Sequence, residues 1–216
     1  MDILQARNNT IEQQVRPWGG LNNEANEFLK EICRENFVPE KYKKLAFADI
    51  EIPLNSTAKM LSPKLEGRIL DIVNIQKDED VLQVGTGSGY LTAVISKLAK
   101  SVSTIEIDEE LSNSAQQRVQ SLDINNVQFI NTDFRDWRTT NFFDIVIIEA
   151  SVPKIYNSYL HLLKKNGRLF IVEGEGKAMS AKLITRKSEN NWESKSLFEV
   201  HIDSLIGSQL PQKFEF

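Results

Sequence analysis

Three features of the sequence predict an α/β fold built on a doubly wound, mostly parallel sheet. From about Asp80 onward, short apolar runs alternate with helical stretches, as parallel strands covered by helices on both faces require. A glycine-rich turn, Gly85-Thr86-Gly87-Ser88-Gly89, separates one such run from the helix that follows it. Near the end, two strand-like runs (Lys182 to Arg186 and Leu197 to Ile202) have only the polar loop Lys187 to Glu193 between them, so a C-terminal antiparallel hairpin is expected. Before residue 60 the pattern is helical and reads as an N-terminal helical extension.

Thr10 to Val15 is the first helical piece, with Thr10 and Gln13 at capping-box spacing. Asn22 to Glu35 is the second, with Phe28, Leu29 and Ile32 on one face and Asn22 or Asn23 as its N-cap. Arg16-Pro17-Trp18-Gly19-Gly20 reads as a loop between them, suited either to covering a site or to packing the helices on the core. Ser62-Pro63 reads as an N-cap followed by proline at the first helical position, opening a helix that carries Leu65, Ile69, Leu70 and Val73. Strands are expected at Val81 to Val84, Val102 to Ile107, Val127 to Ile130, Ile145 to Ile148 and Arg168 to Val172. Helices are expected at Tyr90 to Leu98, Leu111 to Leu122 and Ile155 to Leu163, the last followed by a turn at Lys165-Asn166-Gly167. No repeat or linker divides the chain, so residues 1–216 read as one domain, with 1–60 as a subregion and 61–216 as the core.

With 41% apolar and 26% charged residues in 216, the chain suits a globule with a substantial core. No run approaches the ~18–20 apolar residues of a membrane crossing. The N-terminus lacks the basic and apolar regions of a signal peptide, so no membrane association is expected. A single cysteine, Cys33, excludes an internal disulfide and fits a cytoplasmic location. With only His161 and His201 beside it, no metal site of the nitrogen and sulfur type is expected. A net charge of −4 supplies no global field for polyanions, and no nucleic-acid partner is expected.

The glycine loop follows a strand and opens a helix, where bare backbone and unpaired N–H groups can hold a ligand. Its G-x-G-x-G spacing departs from the G-x-G-x-x-G of dinucleotide sites, which disfavours a nicotinamide dehydrogenase. Glu106 ends the next strand, seventeen positions after Gly89, where a carboxylate can accept both hydrogens of a ribose diol. Asp133 follows the third strand, where it can accept from an adenine amino group or serve as a turn aspartate.

These residues carry a resemblance. Val81-Leu82-Gln83-Val84-Gly85-Thr86-Gly87-Ser88-Gly89-Tyr90-Leu91-Thr92-Ala93 resembles the first motif of class I S-adenosylmethionine-dependent methyltransferases, in the form found in the protein-L-isoaspartate O-methyltransferase family. Phe143 to Pro153 resembles that family's fourth-strand motif, and Leu163 to Leu169 the turn before its fifth strand. Arg34 to Asp49 and Phe198 to Gly207 are similar as well, so the likeness covers nearly the whole chain. It implies a Rossmann-like methyltransferase fold, S-adenosyl-L-methionine as cofactor, and a protein or peptide substrate bearing isoaspartate, with the core as cofactor-binding unit and residues 1–60 on the substrate side.

The cofactor-binding residues implied are Gln83, Gly85, Thr86, Gly87, Ser88, Gly89, Glu106, Ile107, Asp133, Phe134 and Glu149. Gln83 stands where the family usually has an acid, and Phe134 where it usually has glycine after the aspartate. The family's Thr-Ile-Ser-x-Pro segment aligns on Pro63 with Lys59 and Leu61 at the hydroxyl positions, leaving Ser62 one residue out of register as the catalytic candidate. These departures keep two alternatives open: a different small-molecule or protein acceptor, and a catalytically weak cofactor-binding module. Glu149-Ala150-Ser151-Val152 lacks the tetrad associated with methylation of planar amino groups, which disfavours nucleic-acid bases. Oligomeric state is not legible.

Overall fold

The computed structural model describes residues 3–19, 22–176 and 178–208. Helix α1 (Ile3–Thr10) passes through a π-helical turn (Ile11–Val15) into α2 (Arg16–Gly19). The stretch expected to be a loop is therefore helical from Arg16 to Gly19, while Gly20 lies outside the described residues. Pro17 has no N–H to continue the ladder, and the π-helical turn before it lets the helix pass that gap. Thr10 sits mid-helix at φ −62° and ψ −46°. Its hydroxyl donates to Phe47 O at 3.2 Å, so the expected capping box does not form.

Helix α3 (Asn23–Glu31) starts where Asn22 Oδ1 accepts from Ala25 N at 2.7 Å, as its composition predicts. It ends earlier than expected because Ile32 turns extended; Cys33 then lies in a turn rather than in the helix. Short 3-10 turns at Arg34–Asn36 and Glu40–Leu45 lead to an antiparallel pair, β1 (Ile52–Pro53) and β2 (Lys59–Met60). Helix α4 (Pro63–Val73) follows with Pro63 in its first turn. Ser62 occupies the N-cap position, yet its hydroxyl makes no capping bond.

The remaining elements are β3 (Asp80–Val84), α5 (Tyr90–Leu98), β4 (Ser101–Glu106), α6 (Glu109–Gln120), β5 (Val127–Asn131), β6 (Phe143–Val152), α7 (Asn157–Leu160), β7 (Leu163–Glu175), β8 (Ala178–Ser188) and β9 (Asn191–Glu199). Seven strands form one sheet in the order β5-β4-β3-β6-β7-β8-β9. The first five run parallel, and β8 and β9 add antiparallel at the edge. Strand residues alternate between two cores. Val81, Ile145 and Ile147 pack with α4 and α5 residues such as Ile69 and Ile95. Leu82, Val84, Val146 and Ile148 pack on the other face with Tyr159 and Leu163. This two-residue period buries both faces of the sheet.

Three further expectations are corrected. The helix predicted over Ile155 to Leu163 shrinks to α7, because Leu163 is taken into the sheet opposite Phe143. The turn predicted at Lys165-Asn166-Gly167 becomes an irregularity inside β7, with Asn166 at φ 65°. The last strand begins at Asn191 rather than Leu197: its first residues are mostly exposed and polar, so backbone pairing to β8 holds them and leaves no apolar signal. Beside β3 the sheet order reverses, with β4 on one side and β6 on the other. A crevice opens there at the carboxyl ends of the strands, where sheets of this type bind ligands.

Candidate active site

The glycine loop leaves β3 and is pinned to β4 from the start. Gly85 N and Thr86 N both donate to Ile105 O, at 2.9 and 3.3 Å, and the Thr86 and Thr104 hydroxyls lie 2.6 Å apart. Gly85 has φ +96° and Gly89 +84°, a left-handed backbone that side chains disfavour. At Gly89 a Cβ would also come within 2.9 Å of Ala115 Cβ on α6. Ser88 Oγ accepts from Tyr90 N at 3.3 Å at the start of α5.

Glu106 closes this loop onto the next turn. Its Oε2 accepts from Gly87 N at 2.9 Å and its Oε1 from Asp108 N at 3.1 Å. The carboxylate is 8% exposed and lines the cleft beside half-open Ile107. Asp133 is held by Arg135, which donates through Nη2 at 2.6 Å and through its backbone N at 2.9 Å. That bonding keeps the Asp133 carboxyl below the usual carboxylate range. Phe134 is buried against Tyr159, with ring centroids 5.2 Å apart. Glu149, on β6, accepts a short hydrogen bond from Gln83 Nε2.

Glu106, Asp133, Phe134 and Glu149 line one cleft together with the glycine loop, and it is open on one side. The β1–β2 hairpin covers part of it. Asn55 Nδ2 donates to Asp108 Oδ2 at 2.9 Å, and Lys59 Nζ to Asp203 Oδ1 at 2.9 Å. That hydrogen bond raises the Lys59 pKa, with Glu51 as a further partner at 3.5 Å. The opposite wall, residues 203–206, is anchored by Ser151, whose N donates to Asp203 O and whose O accepts from Leu205 N. Six carboxylates (Glu51, Glu66, Glu106, Asp133, Glu149 and Asp203) face the cleft, with Lys59 as the one cation among the described residues lining it.

Beneath the hairpin lies a buried ion pair. Arg34 donates to Glu66 Oε2 at 2.6 Å, to Leu61 O at 2.8 Å and to Ala46 O at 3.0 Å, so one side chain ties three segments together. Loss of water outweighs the attraction of Arg34 and pushes the Glu66 carboxyl up to about 7.

A family model for protein-L-isoaspartate (D-aspartate) O-methyltransferases matches residues 6–208. The chain belongs to the protein-L-isoaspartate O-methyltransferase family. It is 30% identical over 209 residues to the protein-L-isoaspartate O-methyltransferase of Aliivibrio fischeri strain MJ11, covering 96% of this chain and all of that one. The enzyme of the same name from Brucella anthropi is 30% identical, covering 95% of both chains. Among solved structures, a protein-L-isoaspartate O-methyltransferase from Plasmodium falciparum in complex with S-adenosyl-L-homocysteine superposes with a TM-score of 0.80. That match covers 92% of this chain and 97% of the other at 21% identity, and it shows a shared fold.

Members of this methyltransferase family use S-adenosylmethionine. The cleft fits that group: Cβ-free backbone at Gly85 and Gly87, a shielded carboxylate at Glu106, an aromatic wall at Phe134, and a second carboxylate at Glu149. Of the residues expected to bind it, Gly85, Thr86, Gly87, Ser88, Glu106, Ile107, Asp133, Phe134 and Glu149 line the cleft. Gly89 sits one step behind it at the helix start. Gln83 is fully buried below the floor and reaches the cleft only through Glu149. Ser62 does not line it, because the chain there turns into α4, whereas Lys59 and Leu61 do. Sequence reasoning missed Glu66, whose signal was an acid amid the apolar residues of α4. It also missed Asp203, 144 positions from its partner Lys59 and without any local signal.

Proposed function

We propose that the chain transfers a methyl group from S-adenosylmethionine to the carboxylate of L-isoaspartyl residues in damaged proteins. The observation that carries this reading is the convergence of the glycine loop, Glu106 and Glu149 on one cleft in a chain of this family. Residues 1–216 act as one methyltransferase unit in this reading, and the cytoplasm is its compartment, in keeping with the lone Cys33.

When bound, the cofactor supplies an electrophilic methyl on a sulfonium. Glu106 would hold the ribose hydroxyls, with the backbone N–H groups of Gly87 and Asp108 fixing its orientation. Phe134 and the Asp133 turn would bound the adenine. Gly85 to Ser88 give the backbone close approach. An acceptor carboxylate has a pKa of about 4 and is ionised at neutral pH, so no general base is needed. The protein's contribution is alignment and exclusion of water, and the hairpin carrying Lys59 and Leu61 covers the side from which the acceptor would enter. Lys59 offers that carboxylate a positive charge, in competition with Asp203 and Glu51.

The test is transfer of radiolabelled methyl to a peptide containing isoaspartate and to its normal aspartyl twin, with Leu61→Ser alongside the parent. Labelling of the isoaspartyl peptide alone is expected. A second reading, a different acceptor, is favoured by Lys59 and Leu61, which line the cleft where the family carries hydroxyls. Absence of labelling by both proteins, with cofactor bound, would overturn the first reading, and methyl transfer to another acceptor would then separate the second from a cofactor-binding module.

A further inference from the structure

Glu149 stands apart from the other carboxylates of the cleft. Glu106 is satisfied by two backbone N–H groups, Asp133 by Arg135, Glu66 by Arg34 and Asp203 by Lys59. Among the described residues Glu149 has one protein partner, the uncharged Gln83 amide, and no cation. Gln83 lies on β3 with no exposed surface, and its own Oε1 is buried without a partner. Its amide nitrogen is directed at the Glu149 carboxyl. A Cβ on Gly85 would sit 3.4 Å from Glu149 Cβ, so the bare backbone of the glycine loop passes close against the Glu149 side chain.

A carboxylate withdrawn from water beside no cation is costly unless something positive arrives or a proton stays on. We propose that Glu149 is the acceptor for the cationic α-ammonium of the cofactor's amino-acid end, and that Gln83 is a positioning residue that fixes the Glu149 carboxyl for it. The carboxylate absent at Gln83 is in this way supplied from the neighbouring strand. The inference rests on the methyltransferase reading and assigns the end of the cofactor opposite the ribose.

A consequence separates this role from packing. Glu149 keeps a face open to the cleft, yet the protein around it removes water from its carboxyl and pushes its pKa well above the ordinary range. Glu66 on α4 and Glu106 on β4 add to that rise, and the Gln83 hydrogen bond opposes it. Glu66 is in turn partly neutralised by Arg34. An arriving ammonium ionises Glu149, so ligand binding should expel a proton.

The experiment is calorimetric titration of the intact chain with S-adenosylhomocysteine and with its deaminated analogue, in buffers of different ionisation enthalpy, from about pH 5 to about pH 8 around the glutamate range. The parent should release protons with S-adenosylhomocysteine and none with the deaminated analogue. Glu149→Gln should bind S-adenosylhomocysteine roughly 10- to 100-fold more weakly, the scale of a charged hydrogen bond, and lose the proton release. Its affinity for the deaminated analogue should hardly change. Gln83→Leu should weaken S-adenosylhomocysteine less and shift the pH at which protons are released. Equal binding of both ligands by the parent, without proton release, overturns the inference and leaves the methyltransferase reading intact. Failure of the parent to bind either ligand overturns both. The parent alone decides the matter if a variant does not fold.

Discussion

Gly89→Ala joins two costs that the fold allows to be separated. At φ +84° an alanine is in the left-handed region, at ~1–2 kcal/mol. Its Cβ would also stand 2.9 Å from Ala115 Cβ and 3.1 Å from Ala115 Cα, so α6 must shift or the loop must. Forced overpacking of this kind costs ~1–3 kcal/mol. The expected loss is therefore ~2–5 kcal/mol by urea denaturation followed by circular dichroism. Gly176→Ala is the internal control. Its φ is +65° with nothing within 4 Å of the new Cβ, so only the backbone cost applies, about 1 kcal/mol after the reduced freedom of the unfolded chain. Adding Ala115→Gly to Gly89→Ala removes the nearest clashing atom, although the Ala115 backbone contacts remain. The second change alone costs about 1 kcal/mol in a helix, so a double variant no less stable than Gly89→Ala marks the contact. Equal losses at Gly89 and Gly176, with strict additivity at Ala115, would refute the steric argument.

Two further outcomes concern the charges that brace the cleft and the sheet. Arg34→Met leaves Glu66 buried without its partner and should cost ~3–5 kcal/mol near pH 8. The loss should shrink toward pH 5, because a carboxyl whose folded pKa is raised, here to about 7, stabilises most below its unfolded value and progressively less as pH rises through the folded one. Urea midpoints across that range are the measurement, and a small, pH-independent loss would contradict it. Lys164 joins Asp80 and Asp144 at the amino ends of β3 and β6 and holds Asp80 at about 2. A lowered carboxyl stabilises above its unfolded value of ~4 and loses that contribution as pH falls toward the folded value, so Lys164→Met should raise the acid-unfolding midpoint. The neutral-pH loss should be only ~1 kcal/mol, since Lys164 is 38% exposed and screened by water. An unmoved acid limb would show that these contacts are solvated in solution.

What the sequence revealed follows from where the physical signal lies. Tyr90–Leu98 is the helix expected, because a glycine turn opens it and most of its buried residues are apolar. Strands β3 and β4 fall within one residue of expectation because most of their residues are buried in a parallel sheet and the apolar ones among them give the signal, whereas β5, at the sheet edge, is legible from Val127, Phe129 and Ile130 although none is fully buried. The edge of the sheet was misjudged where burial stops deciding. Glu193 to Ser196 are exposed and held chiefly by backbone pairing to β8, and Leu163 reads equally well as helix or strand until Phe143 pairs with it. At the site, Glu106 and the glycines were legible because one strand–loop–helix unit places them. Glu66 and Asp203 were not, since their roles depend on Arg34 and Lys59, brought in from 32 and 144 positions away.

The charge distribution of the cleft suits a reaction that destroys charge. A sulfonium and a carboxylate enter as cation and anion, and a neutral ester and a neutral thioether leave. Opposite charges draw together in the transition state, so a site with few competing waters strengthens their attraction. In the proposed reading Glu106 and Glu149, on the cofactor side, would favour the cationic partner before the step. They would repel the anionic one, were both not already held by N–H donors from the chain. The mouth carries Lys59, which faces two carboxylates of its own and so presents only part of its charge. A full, unpaired lysine there would hold the substrate carboxylate in its ground state and oppose the loss of its charge in the transition state. Because Asp203 and Glu51 already pair with Lys59, in the proposed reaction an acceptor carboxylate would have to displace one of them to reach the ammonium, which limits how tightly it is held. In that reading the departure from the family's hydroxyl at this position bears on how the acceptor is drawn in, since a sulfonium methyl passes to an ionised carboxylate without a general base.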